Sequence, residues 1–153
     1  MRMELEKIQF KNLSLYWKPR FLEFCEKLTK ETKMQWGLMN DPIHITNLIF
    51  AYRDEGIILI GVYNKEIVCH GHLIPVLSTG LIEGVVVRSD LQGQGIGTLL
   101  INKLEEEARK MKLTSLKLEV FKTNPRGFKF YEKLGYVKTG ETDIDFEMRK
   151  KLK

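Results

Sequence analysis

Cysteine is nearly absent from this chain. Cys25 and Cys69 are its two cysteines in 153 residues. They lie far apart and form no C-x-x-C pair, so the reading is two reduced, buried thiols rather than a metal knuckle. Long apolar runs are missing too: no stretch approaches the roughly eighteen uninterrupted apolar residues of a membrane-crossing helix. The start, Met1-Arg2-Met3-Glu4, puts an acidic residue where a signal peptide would begin its apolar region. A cytoplasmic location is therefore expected. No Pro-, Gly- or Ser-rich linker divides the sequence, which is read as one domain over residues 1–153. Histidine is scarce: His70 and His72 form an H-x-H pair, but no third ligand follows at a metal-binding spacing, so no metal is expected. The formal charge of +5 comes from scattered lysines and a basic end, Arg149, Lys150, Lys151 and Lys153. Without an aromatic-interleaved basic patch, this argues against nucleic acid.

What remains is an ordinary globular composition, 43% hydrophobic and 29% charged, with periodicities that alternate between strand and helix. Residues 3–10 nearly alternate and predict an edge strand. Phe21, Phe24, Cys25 and Leu28 recur at helical spacing in a segment running to about Met34, and Asp41-Pro42 caps a second helix to Tyr52. Strands follow at 57–63 and 66–77 across the turn Asn64-Lys65, and a third at 81–88. The stripe Ile96, Leu100, Leu104, Ala108 and Met111 predicts a helix, with Glu105–Arg109 and Glu106–Lys110 as supporting pairs on exposed faces. Residues 115–121 alternate as a strand, so strand, helix and strand make a parallel crossover. Asn124-Pro125 opens a shorter helix that Gly135 stops, and two strands near 136–139 and 143–151 close the chain.

The segment joining the 81–88 strand to the stripe helix carries the chemistry. Gly93, Gly95 and Gly97 remove side chains where the chain turns, so backbone N–H groups can point at an anion held at the positive end of the next helix. A dinucleotide-binding G-x-G-x-x-G from Gly93 would need glycine where Thr98 stands. A P-loop would need a lysine after Gly97, and none follows. The pattern that fits is Q-x-x-G-x-G, formed by Gln92, Gly95 and Gly97 after Val85-Val86-Val87.

This loop resembles the coenzyme A loop of the GNAT superfamily of N-acetyltransferases. The likeness extends to Glu119, twenty-seven positions after Gln92, then Asn124, then Tyr131 in Phe-Tyr-Glu-Lys-Leu-Gly-Tyr. That order is closest to the ribosomal-protein N-terminal acetyltransferases and covers roughly residues 81–137. The resemblance implies a single α/β domain, with a mixed sheet of about six or seven strands flanked by about four helices. It implies a cradle for acetyl-CoA, the cosubstrate, made by Val85, Val86, Val87, Gln92, Gly93, Gln94, Gly95, Ile96, Gly97, Thr98 and Asn124. It implies Glu119 as general base and Tyr131 as general acid. It also implies that the 81–88 strand splays from its neighbour, so that backbone groups near Val85–Val87 pair with the pantetheine arm and polarise the acetyl carbonyl. Ser89 departs from the family, which often has proline there.

The residue types suit that chemistry independently. An amine protonated at neutral pH must lose a proton before it attacks a thioester, and Glu119 alternates with Leu118 and Val120 onto the face away from the main core. Glu83 is a reserve base. A phenol can hand a hydrogen bond or a proton to the departing thiolate. Each also has a structural reading: Glu119 as a salt-bridged strand residue, Tyr131 as part of the stripe Phe128, Tyr131, Leu134, Asn124 as a helix cap. Gly84 marks a bulge or close backbone approach. His70 and His72, with Tyr16, Trp17, Trp36 and His44, are acceptor-pocket walls or ordinary packing. The expected acceptor is an amine-bearing small molecule or a peptide N-terminus, with no membrane and no nucleic acid as partner and a homodimer left open. A non-catalytic acyl-CoA-binding regulatory module is the rival, and it would need neither Glu119 nor Tyr131.

Overall fold

A computed structural model describes residues 2–36 and 41–153. Seven strands form one sheet in the order β1-β2-β3-β4-β5-β7-β6. They are β1 (Gln9–Asn12), β2 (Ile57–Tyr63), β3 (Glu66–Val76), β4 (Thr79–Val87), β5 (Ser115–Phe121), β6 (Val137–Glu141) and β7 (Asp145–Lys151). Every neighbouring pair is antiparallel except β4 and β5. The described helices are α1 (Lys18–Glu26), α2 (Lys30–Trp36), α3 (Pro42–Ala51), α4 (Ile96–Lys110) and α5 (Pro125–Lys133).

Strand alternation divides the interior into two cores. Ile58, Ile60 and Val62 of β2 turn to one face, where Phe21, Phe24 and Cys25 of α1 and Ile45 and Phe50 of α3 cover them. Leu59, Val68 and Leu73 turn to the other, under Leu100, Ile101, Leu104 and Ala108 of α4. Leu116, Leu118 and Val120 of β5 join this second core, which leaves Lys117, Glu119 and Phe121 on the opposite face. The β2–β3 hairpin closes through Asn64 and Lys65, both at positive φ (49° and 65°), the geometry that matches strand twist.

Several local expectations are corrected. The strand expected over 3–10 shrinks to β1, because Leu5–Lys7 form a 3-10 turn and Met3 donates its N–H to Gln94 Oε1 at 2.7 Å. The helix expected from Phe21 to Met34 breaks into α1 and α2 at Lys27–Thr29. There the Thr29 hydroxyl caps α2 by accepting from Thr32 N (3.2 Å), while Thr29 N donates to Ser89 Oγ (2.9 Å). That raises the helix count from four to five among the described residues. The exposed ion pairs expected on α4 also differ. Glu105 is 4% exposed, and its carboxylate accepts from Tyr136 OH (2.9 Å) and Lys150 Nζ (3.1 Å), with Arg109 out at 3.9 Å. Glu106 pairs with Lys103, and Lys110 with Glu107. The last two strands begin one and two residues later than expected, and β7 inserts between β5 and β6. No helix of the described residues is long and apolar enough to cross a membrane.

Candidate active site

β4 and β5 pair only at Thr79–Ser115, Gly80–Leu116 and Leu81–Lys117. Beyond those three pairs the strands part, and the edges they would have shared line a cavity of about 1360 Å³. β4 bends away through a bulge. His72 opposes Glu83 and His70 opposes Val86, so the single residue Gly71 on β3 faces two, Gly84 and Val85, on β4. Gly84 takes φ +59°, and a methyl built there would lie 2.8 Å from Trp36 Nε1 and 3.0 Å from His70 Cε1. The bulge expected at Gly84 and the expected splay are both present.

At the far end of β4, Arg88 is buried and clamped by Asp90 (2.7 Å) and Glu66 (3.3 Å), which fixes the entry to the glycine loop. Its pairing holds the Asp90 carboxyl below the usual range. Gly93 and Gly95 adopt φ +82° and +92°, which side-chain-bearing residues rarely accept. Gly95 is the N-cap of α4 with no side-chain cap, and the first intrahelical bond runs from Leu99 N to Gly95 O (3.2 Å). The N–H groups of Ile96, Gly97 and Thr98 precede that bond, at the positive end of a fifteen-residue helix. Gly97 also lets Phe130 approach: a methyl there would sit 3.1 Å from its Cζ.

Of the sequence-derived site residues, Val85, Val86, Val87, Gln92, Gly93, Gly95, Ile96, Gly97, Thr98, Glu119, Asn124 and Tyr131 line this one cavity. Gln94 does not; its Oε1 instead accepts from Met3 N. The Gln92 amide braces the loop from within, donating to Val87 O (3.2 Å) and Thr32 Oγ1 (3.4 Å). Asn124 caps α5 through Oδ1, which accepts from Gly127 N at 3.0 Å. Glu119 is exposed in the parted stretch of β5, and Glu83 is exposed on β4. Tyr131 is half-buried, its ring edge-on to Phe130 and Tyr136, and burial pushes its hydroxyl above the ordinary phenol range. It therefore keeps its proton at neutral pH.

Arg126, another lining residue, was not singled out by the sequence. It lies against the glycine loop, its Nη2 3.6 Å from a methyl built at Gly93. A helical-wheel reading could have found it, because it sits in the first turn of the helix that Asn124 caps. Ser89 donates to Thr32 Oγ1 (3.0 Å) and accepts from Thr29 N, tying α2 to the loop. Trp36, His70 and His72 all face the cavity, whereas Tyr16, Trp17 and His44 do not. Both thiols are buried, and burial pushes each up to about 12. Among the described residues no group of three or more His, Cys, Asp and Glu side chains could hold a metal ion.

Comparison with known proteins accords with this geometry. No curated protein matches the sequence. Among solved structures, PaiA N-acetyltransferase from Thermoplasma acidophilum, in complex with coenzyme A, superposes at a TM-score of 0.76 with 19% identity, over 94% of this chain and 98% of that one. Spermidine N-acetyltransferase from Vibrio cholerae, with CoA and spermine, gives 0.77 at 14% identity over 96% of each chain. Ribosomal-protein-alanine N-acetyltransferase from Brucella melitensis gives 0.74 at 20% identity, over 94% of this chain and 99% of that one. At such identities the likeness is one of fold. The family model "Acetyltransferase (GNAT) family" matches residues 15–136, and the chain belongs to that family, whose members use acetyl-CoA.

Proposed function

We propose that the protein is an acetyl-CoA-dependent N-acetyltransferase, which moves an acetyl group directly to a primary amine within a ternary complex. The observation that carries this reading is the cavity between β4 and β5. It holds an anion cradle at one end, two unpaired strand edges along its length, and a carboxylate and a phenol on its walls. The residues fit coenzyme A. Two positive-φ glycines and the uncapped N-terminus of α4 suit a pyrophosphate, and Arg126 beside Gly93 adds a cation. Asn124 keeps its Nδ2 donors while Oδ1 caps α5.

Glu119 serves as general base, taking a proton from the acceptor ammonium directly or through water. The β4 backbone around Val85 stabilises the developing oxyanion. Tyr131 donates to the sulfur as it leaves, with its proton retained by burial. No enzyme acyl intermediate is needed, since both thiols are buried and protonated at neutral pH. The acceptor is an amine-bearing small molecule or a peptide N-terminus. Glu55 and Glu83, with the aromatic rings of Trp36 and Tyr52 on the same cavity wall, suit an amine that arrives as a cation.

The test is thiol release from acetyl-CoA against a panel of polyamines, amino acids and N-terminal peptides, with Glu119→Gln beside the wild type. The variant should lose turnover most at pH below the amine's pKa while coenzyme A affinity stays nearly intact. Equal turnover would remove Glu119 from the chemistry. Tight coenzyme binding with no release for any acceptor would favour the non-catalytic acyl-CoA-binding module.

A further inference from the structure

We propose that His70 is a positioning residue for catalysis: its Nδ1–H, donated to the Gly84 carbonyl, sets the peptide plane that presents the Val85 N–H to the reacting carbonyl. This rests on the acetyl-transfer reading above and adds a residue from β3, a strand outside the loop and the general acid–base pair.

The geometry begins with the bulge. In the β3–β4 register neither Gly84 nor Val85 has a facing partner of its own on β3, and neither has one on β5, from which β4 has already parted. The carbonyl of the peptide between them is 2.7 Å from His70 Nδ1. In a trans peptide the C=O and the following N–H point in opposite directions, so holding the Gly84 oxygen aims the Val85 hydrogen the other way. Among the described residues no cis peptide is present to alter this relation. Gly84 at φ +59° supplies the backbone freedom, and the His70 ring crowds the space where a side chain would stand.

The tautomer follows from the surroundings. His70 is 0% exposed and packs against Phe21 (centroids 5.4 Å apart) and Trp36 (5.3 Å). Its Nε2 is sealed from solvent and has no hydrogen-bond partner among the described residues. A proton on Nε2 would be a buried donor without an acceptor, and Nδ1 would then set its lone pair against a carbonyl lone pair. The neutral Nδ1–H form avoids both. Burial holds the imidazole down at about 4, so this form persists at physiological pH. Trp36 forms the other side of the slot, with its Nε1 against the Gly84 position. The acceptor wall and the acyl-polarising backbone thus meet at one histidine.

Three measurements on the full chain test the proposal. Nitrogen-15 NMR of histidine-labelled protein, with His70 assigned by its loss in His70→Asn, should show the Nδ1–H tautomer, neutral to about pH 5. An Nε2–H tautomer overturns the proposal whether or not any variant folds. In kinetics, His70→Leu keeps bulk but loses the donor, whereas in His70→Asn the amide nitrogen is as many bonds from Cα as Nδ1. The expected pattern is at least a tenfold fall in kcat for the Leu variant, coenzyme A Kd within about threefold of wild type, and kcat for the Asn variant within about threefold of wild type. Equal losses in both variants would make His70 mere packing and overturn the proposal. If the wild type transfers no acetyl group to any amine, the functional reading fails, while the tautomer still decides whether His70 fixes the bulge.

Discussion

His70 and the surface carboxylates of β6 and β7 answer to pH in different windows. The imidazole, ordinarily near 6.5, is held at about 4 by burial. The folded state therefore binds fewer protons than the unfolded chain between those values. Its stability contribution is complete above about pH 6.5 and is lost as pH falls toward 4, by about 3 kcal/mol in all. His72 is the titratable neighbour whose charge opposes protonation further; the rings of Phe21 and Trp36 bring no charge. Glu141, hydrogen-bonded to Lys122 and Lys138, and Glu147, hydrogen-bonded to Arg149 and Thr139, are both held near 2. Their contributions are present above about 4.5 and disappear only as pH falls below it. Urea midpoints at pH 7, 5.5 and 4.5 should thus fall in the wild type and stay flatter in His70→Asn. An identical fall in both would assign the loss elsewhere. Ser89, the departure from the family's proline, has a role of its own, because its hydroxyl bonds Thr29 and Thr32 and a proline ring could do neither.

At the level of elements, one buried carboxylate adds polar ties to the apolar packing that holds α4 on the sheet. Glu105 accepts from Tyr136 OH and Lys150 Nζ, which joins α4 to the segment after α5 and to β7. Glu105→Ala should cost about 3 kcal/mol, because it leaves the buried Tyr136 hydroxyl unpaired while Lys150 can swing to water. A fall in the urea midpoint with an unchanged m-value would check this. The same pair shows where local reading stops. A helical wheel offers Arg109 to Glu105, and that ion pair forms at 3.9 Å, but the hydrogen-bonded partners come from 31 and 45 positions away. Likewise the break between α1 and α2 is set by Ser89, sixty positions beyond Thr29. β2, β5 and the start of α4 were legible because alternation, the stripe and the glycines are local signals. The cavity-lining positions of Glu119, Asn124, Tyr131 and the loop residues other than Gln94 followed from their spacing along the chain and the family likeness that spacing carries. The Trp36–His70–Gly84 slot was not legible, since it exists only once three elements pack together.

For the molecule as a whole, the cavity opens between β4 and β5, and its lining residues Val86 and Leu118 belong one to each of the sheet's two cores. A ligand that spans the cleft should therefore stabilise both sides together. Coenzyme A at about 100 times its Kd is worth about 2.7 kcal/mol to the folded state, which for a chain of this size is a Tm rise of about 5–10 °C. One thermal transition should move as a unit. Two transitions, with only one responding, would mean that the cores melt separately.

The three-pair seam between β4 and β5 has a consequence for how motion is distributed. Backbone amides inside a complete ladder exchange with solvent only when that part of the fold opens, whereas those along the parted edges of Ile82–Val87 and Leu118–Phe121 lack that protection on the cleft side. What joins β1–β4 to β5–β7 is those three pairs and the core under α4, which takes in Ile82 of β4 and Leu118 of β5. On the function proposed above, a cosubstrate lodged between the parted edges touches β4 and β5 at once and adds a third join between the two parts of the sheet.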